Sequence, residues 1–203
     1  MTRRPRLAAA LVFAALLSVA RSAAPAAAED PKIPFTKFSL PNGLEVIVVE
    51  DHSVPLVAVD VWYHVGAGDE VQGRSGFAHL FEHMMFQGTQ NTGEDKHFEV
   101  LQNIGSSDVN GSTNFNRTNY YEVLPSNQLE AALWLESERM GYLPATITEK
   151  SLANQREVVR NERRQSLDNV PYGKEQWAVG ELLYPASHPY RYLVIGTHED
   201  LAV

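Results

Sequence analysis

Apolar residues alternate with polar or small ones at Val57, Val59 and Val61, inside a stretch, 54–65, that reads as a β-strand. Two shorter strands, 37–40 and 44–50, flank Pro41-Asn42-Gly43, a hairpin signal. Further on the period lengthens. From 77 to 86 the chain reads Phe-Ala-His-Leu-Phe-Glu-His-Met-Met-Phe. With His79 at 0° on a wheel of about 100° per residue, Phe77, Leu80, Phe81 and Met84 fall roughly 100–200° away. Residues 96–103 read as a short helix, and 108–113 and 119–124 as strands. Asn127, with Glu130 three residues on, reads as the N-cap of a helix that Gly141 ends. The span 148–168 reads as a long helix, with Glu149 in its first turn, Arg163 and Arg164 near its end and Pro171 beyond. This order predicts an α+β fold, a mostly antiparallel sheet with helices packed on one face. Trp62, Trp134 and Trp177 are expected in the core.

The helix at 77–86 carries the informative chemistry. His79, Glu82 and His83 recur at i, i+3 and i+4, so all three project from one face within about 60°. The opposite face is wholly apolar, which buries the helix. An ionisable stripe in a dry interior costs several kcal/mol or more unless something compensates it, and a metal ion does so directly. The spacing is the inverted form of the His-Glu-x-x-His zinc peptidase motif. Two imidazoles supply nitrogen ligands, and Glu82 stands beside them to take a proton from water.

A catalytic zinc takes three protein ligands and leaves one position open. The third is sought on 148–168. On a helical wheel that starts at Leu152, Val159 falls beside Leu152, and Glu162 falls between Val158 and Val159, on the apolar arc. Glu157 falls on the side opposite the two valines, toward water. The wheel therefore selects Glu162 over Glu157.

The run His79-Leu80-Phe81-Glu82-His83-Met84-Met85-Phe86-Gln87-Gly88-Thr89 resembles the active-site segment of the pitrilysin/insulinase family of inverted-motif zinc peptidases, to which the β subunit of mitochondrial processing peptidase belongs. Gln155 to Glu162 is similar to the family's third-ligand helix, with Glu162 at the ligand position. Asn103-Ile104-Gly105, Val109 to Thr113 and Thr118 to Tyr121 are similar to its substrate-binding edge strand and neighbour, which implies substrate contacts at Asn110, Gly111 and Ser112. The resemblance runs from about Phe35 to the last residue and is strongest for secreted bacterial members. Two features depart from it. Gln155 stands where the family often has an acid, and the spacing from His83 to Glu162 implies a small loop insertion.

The resemblance implies a zinc-dependent metalloendopeptidase, with one Zn²⁺ per domain, that cleaves peptides or small unfolded proteins. It also implies a homologous C-terminal half or partner subunit, since 29–203 reads as an N-terminal peptidase domain cut short at its C-terminal end. The alternative is a zinc-binding fragment or subunit that is inactive without that half.

Residues 1–28 read as a secretory signal peptide: Arg3, Arg4 and Arg6 precede an apolar run at 7–20, and Ala26-Ala27-Ala28 offers a cleavage site, with sites after Ser22 and Ala24 as rivals. That predicts a periplasmic or secreted protein with no stable membrane anchor after cleavage. A mitochondrial location is the alternative. Loss of the leader leaves 13 basic against 25 acidic residues and moves the net charge from -8 to -12. So acidic a chain argues against nucleic acid as a partner. Without cysteine, zinc must be held by imidazole and carboxylate. His52, His64, His97, His188 and His198 lack a partner at ligand spacing and are expected to be structural or superficial. The loop glycines Gly66, Gly68, Gly73 and Gly76 fit no nucleotide fingerprint.

Overall fold

The computed structural model describes residues 32–202, so the expected signal peptide and its cleavage site lie outside the described residues. The chain divides into two units, 1–52 and 53–203. In the first, β1 (Thr36–Ser39) and β2 (Glu45–Val48) pair antiparallel, with Thr36 opposite Val48 and Ser39 opposite Glu45. Gly43 turns the chain at a φ of 90°, in the left-handed region that glycine enters without a Cβ penalty. The Asn42 Oδ1 accepts from the Leu44 amide at 3.1 Å.

The second unit is built on a three-stranded antiparallel sheet in the order β3-β5-β4, from β3 (Leu56–Tyr63), β4 (Asp108–Thr113) and β5 (Thr118–Pro125). Among the described residues β4 is therefore an edge strand. The helices are α1 (Phe77–Met84), α2 (His97–Asn103), α3 (Leu129–Tyr142), α4 (Glu149–Arg163) and α5 (Glu175–Leu183). The alternation fixes two unlike sheet faces. Val57, Val59, Val61, Tyr120, Glu122 and Leu124 share the face covered by α1 and α3, where the Arg139 guanidinium lies 4.5 Å from the Tyr120 ring and 5.0 Å from that of Phe86. Asp60, Trp62, Ser112 and Asn119 share the other. There Trp62 Nε1 donates to Asp60 Oδ2 at 2.7 Å, Asn119 Nδ2 donates to Asp60 Oδ1 at 2.9 Å, and the Arg117 guanidinium stacks 4.9 Å from the Trp62 ring.

Two of the three tryptophans leave the expected core. Trp62 is 53% exposed, because strand alternation puts it in phase with Asp60 rather than with the valines, and Trp134 is 44% exposed on the outer side of α3. Trp177 is half-buried, its ring 6.5 Å from Tyr192 and beneath the Arg163 guanidinium. The start of α3 also differs. Asn127 lies inside a 3-10 turn, Ser126–Gln128, and Gln128 precedes α3 with no side-chain cap. Gly141 remains helical, and the chain leaves α3 through the Pro144-bearing turn Leu143–Ala145. The helix expected over 148–168 is α-helical only to Arg163 and widens to a π turn over Arg164–Asp168. Its start is a reciprocal cap between Thr148 and Ser151.

Candidate metal centre

α1 begins at Gly76, whose φ of 89° and close approach to Ile195, where a Cβ would meet the carbonyl oxygen at 2.7 Å, both require glycine. Glycine has no side chain to cap the helix. Glu70 takes over, its carboxylate accepting from the amides of Gly76 at 3.0 Å and Ala78 at 2.7 Å. Burial pushes the Glu70 carboxyl above its usual range, while the backbone donors hold it down. Leu80, on the apolar face of α1, is fully buried with Val159 of α4 and Leu201, and Phe77, Leu152 and Ile195 pack around them. This contact sets α1 beside α4.

The same contact brings the sequence-selected residues together. His79 Nε2 lies 3.7 Å from Glu162 Oε1, and His83 Nε2 lies 3.3 Å from Glu162 Oε2. The two imidazoles meet edge to face with centroids 4.8 Å apart, and one donor atom from each of the three residues falls within 4.8 Å of the others. That is wider than the spacing of about 3–4 Å in a fully closed zinc site. Burial lowers the pKa of His79, which favours the neutral imidazole that a metal requires. The His83 imidazole bonded to Glu162 holds its carboxyl below the usual range. The Glu162 side chain is 43% exposed, so solvent reaches the centre.

Glu157 is on the solvent side, ion-paired with Arg160. Arg163 donates to the Gly196 carbonyl and Arg164 to Asn161 Oδ1, so neither neutralises Glu162. The donor set, two imidazole nitrogens and a carboxylate with an open side, fits a zinc ion. One feature departs from the usual pattern: His79 Nδ1 is buried without a hydrogen-bond partner among the described residues, where a ligating histidine ordinarily donates from its second nitrogen. Gln155, at the position where an acid was expected, is buried. A cavity of about 460 Å³ behind α1 is lined by Met84, Thr89, Leu143 and Ile147 but by none of the three candidate ligands. The centre is an open cleft and not that cavity.

Glu82 is buried on the same face of α1 and accepts a hydrogen bond from the Thr113 hydroxyl at the end of β4. The three residues expected to meet substrate divide. Gly111 faces α1, and a Cβ there would lie 3.2 Å from Glu82 Cγ and from Phe86. Ser112 turns to the opposite sheet face, its Oγ donating to Asn119 Oδ1 at 2.7 Å and accepting from Arg117 at 2.6 Å. Asn110 is exposed, and its Oδ1 accepts from the Gly111 amide at 2.9 Å. Sequence reasoning missed Thr113 and Glu70. The signal for Thr113 was alternation, which puts 109, 111 and 113 on one face. For Glu70 it was a helix opening on glycine, which needs an acceptor from elsewhere. Of the remaining histidines, His97 is buried against Arg139 at 2.7 Å, and His198 bonds Asp168 at 3.0 Å.

Residues 45–176 match the family model described as Insulinase (Peptidase family M16). The chain is 34% identical over 164 residues to the zinc protease PqqE of Helicobacter pylori, covering 80% of this chain and 36% of that protein. A crystal structure of a protease from Helicobacter pylori superposes with a TM-score of 0.78 at 33% identity, over 83% of this chain and 40% of that one. The first half of the periplasmic protease PqqL from Escherichia coli superposes with a TM-score of 0.73 at 25% identity, over 83% of this chain and 37% of that one. The chain thus spans less than half the length of these relatives.

Proposed function

The chain belongs to the insulinase family, peptidase family M16, and from that premise we propose that it acts as a zinc-dependent endopeptidase on peptides or small unfolded proteins. His79, His83 and Glu162 would hold one zinc ion, the two imidazoles through nitrogen and Glu162 through its carboxylate. Zinc, when bound, supplies a Lewis acid that polarises the scissile carbonyl and lowers the pKa of water. Glu82 is the general base: it takes the proton of the attacking water and returns it to the leaving amine. The substrate enters as an added strand along β4, at Asn110, Gly111 and Ser112. Backbone pairing of this kind reads extension more than side-chain identity.

The observation that carries this reading is the approach of two α1 imidazoles to the Glu162 carboxylate, with Glu82 between them in sequence and buried on the same face. The length of the relatives supports a further requirement, a homologous C-terminal half or partner subunit that covers the substrate. Without it the chain is a zinc-binding module with little turnover, because holding the substrate in a reactive geometry can contribute about 7–11 kcal/mol. The periplasmic relative and the basic, then apolar, leader favour a periplasmic or secreted location. No helix of the described residues is long and apolar enough to cross a membrane.

Metal analysis paired with peptide digestion tests the proposal. Glu82→Gln is expected to retain one zinc and lose about 10²–10⁴-fold in rate. Stoichiometric loss of zinc in that variant would make Glu82 a ligand and reverse the roles.

A further inference from the structure

We propose that Thr113 is the positioning residue for Glu82, its hydroxyl binding Oε2 so that Oε1 is the oxygen left to take the proton of the attacking water. The inference rests on the peptidase reading above and adds to it the residue that aims the base.

Glu82 is buried, and a carboxylate removed from water needs a donor. As a carboxylate it has no proton to give, so in its contact with Thr113 the threonine hydroxyl must donate. The neighbouring hydroxyl cannot take over that duty. Thr118 Oγ1 lies 3.3 Å from Thr113 Oγ1 but donates to the Val65 carbonyl at 3.0 Å, which commits its own proton. Among the described residues Oε1 of Glu82 has no hydrogen-bond partner, and Oε2 has only Thr113.

The backbone prepares this contact. Thr113 is the last residue of β4 and sits opposite Thr118 in the ladder, so its position is set by the sheet. A β-branched side chain in a strand has few χ1 options, which fixes where the hydroxyl points. Gly111, two residues earlier on the same face, lets the strand come close enough: a Cβ there would already be at 3.2 Å from Glu82 Cγ. One strand therefore supplies both the room for Glu82 and its anchor. Such an anchor matters because a carboxylate free to rotate about χ3 spends only part of its time with an oxygen aimed at the reacting water. Misplacement by about 1 Å can cost on the order of 100-fold in rate.

Thr113→Val keeps the branched shape and removes the hydroxyl, while Thr113→Ser keeps the hydroxyl. With the proposed C-terminal half supplied, on one peptide, Thr113→Val is expected to lower kcat by about 10- to 100-fold with KM within about twofold and zinc content unchanged. Thr113→Ser is expected to restore most of kcat. A second readout needs no turnover: proton NMR of this chain should show a Thr113 hydroxyl resonance protected from exchange, with a nuclear Overhauser contact to the Glu82 side chain. Wild-type kcat in Thr113→Val, a loss that Ser does not rescue, or absence of that contact overturns the proposal. A wild type that holds zinc but hydrolyses nothing, even with that half supplied, overturns the peptidase reading instead, and the hydroxyl contact then decides the positioning claim alone.

Discussion

The Glu70 carboxylate receives the amide of Ala78 at 2.7 Å, one residue before the first candidate ligand, His79. A side chain from the preceding loop thus closes the open end of the eight-residue helix that carries both imidazoles. So short a helix has little stability of its own and depends on its cap and its packing. Glu70→Ala is expected to lower unfolding stability by about 0.5–2 kcal/mol, the usual range for a lost cap. It should also weaken zinc binding, because a frayed first turn moves His79 before His83. Glu70→Gln, which keeps an acceptor, should recover part of both. Chemical denaturation and a zinc titration of the folded variants check this; unchanged zinc affinity in Glu70→Ala would remove the cap from the account of the site.

Glu122, Glu136, Arg139 and His97 form a buried group between the sheet and α3, with Arg139 donating to Glu136 at 2.6 Å and meeting His97 at 2.7 Å. Asp60, Tyr63 and Tyr120 complete the electrostatic surroundings. Two carboxyls face one guanidinium. Burial first, and the Glu136 charge second, push the Glu122 carboxyl up to about 8. Burial first, and the Arg139 charge second, push His97 down to about 3.

The signs of the two shifts oppose one another. The folded chain keeps the Glu122 proton where the unfolded chain releases it near 4.5, so stability from this group falls as pH rises from 4.5 to about 8. The folded chain refuses the proton that unfolded histidine takes near 6.5, so stability from His97 falls as pH drops from 6.5 toward 3. The two trends oppose one another between 4.5 and 6.5, and above 6.5 Glu122 is the one of these two groups that still changes its charge, with burial raising the neighbouring Glu136 in the same direction. The expected result is a zinc-free chain that loses stability from pH 6.5 to 8, and a Glu122→Gln variant in which that decline is flattened. Urea midpoints at several pH values across the window measure it. An undiminished decline in Glu122→Gln would place its cause elsewhere.

Gly111→Ala adds one methyl at 3.2 Å from Glu82 Cγ, Phe86 and Tyr120. Three neighbours, one on α1, one in the turn that follows it and one on β5, must each give by a few tenths of an ångström. The expected outcome is a destabilisation of about 1–3 kcal/mol, typical of overpacking, with a fall in hydrolysis larger than that loss of folded protein would explain, since Glu82 is among the atoms displaced. Activity corrected for folded fraction is the measurement. A rate at the wild-type level would show that β4 and α1 have more room than the structure allows.

What was legible in the sequence was whatever depends on period. The 3.6-residue pattern put His79, Glu82 and His83 on one face, and the same arithmetic chose Glu162 over Glu157, which the structure leaves in a solvent pair with Arg160. The two-residue pattern also placed Trp62 opposite the valines, yet its size suggested the core. The outer face of the sheet holds it by a hydrogen bond to Asp60 and a stacked Arg117 instead. Caps and anchors were not legible, because they are made by residues distant in sequence. Glu70 reaches over a loop to α1, and Thr113 reaches from a strand 31 residues on to Glu82. Alternation puts Thr113 on the inner face of β4, but no periodicity records which side chain it meets there. Nor did a wheel foresee the π turn after Arg163, where Ser166 bonds back to the Glu162 carbonyl at 2.9 Å.

X-ray absorption spectroscopy of the purified chain loaded with zinc reads the ligand set at the metal. The account predicts one zinc per chain in a shell of nitrogen and oxygen donors at about 2.0–2.2 Å. Imidazole scattering should come from two histidines, fall to one in His79→Ala or His83→Ala, and stay at two in Glu162→Ala, where only the oxygen shell changes and affinity drops. A chain that retains no zinc, or whose zinc spectrum is unmoved by His79→Ala and His83→Ala, would contradict the assignment of the metal to His79, His83 and Glu162.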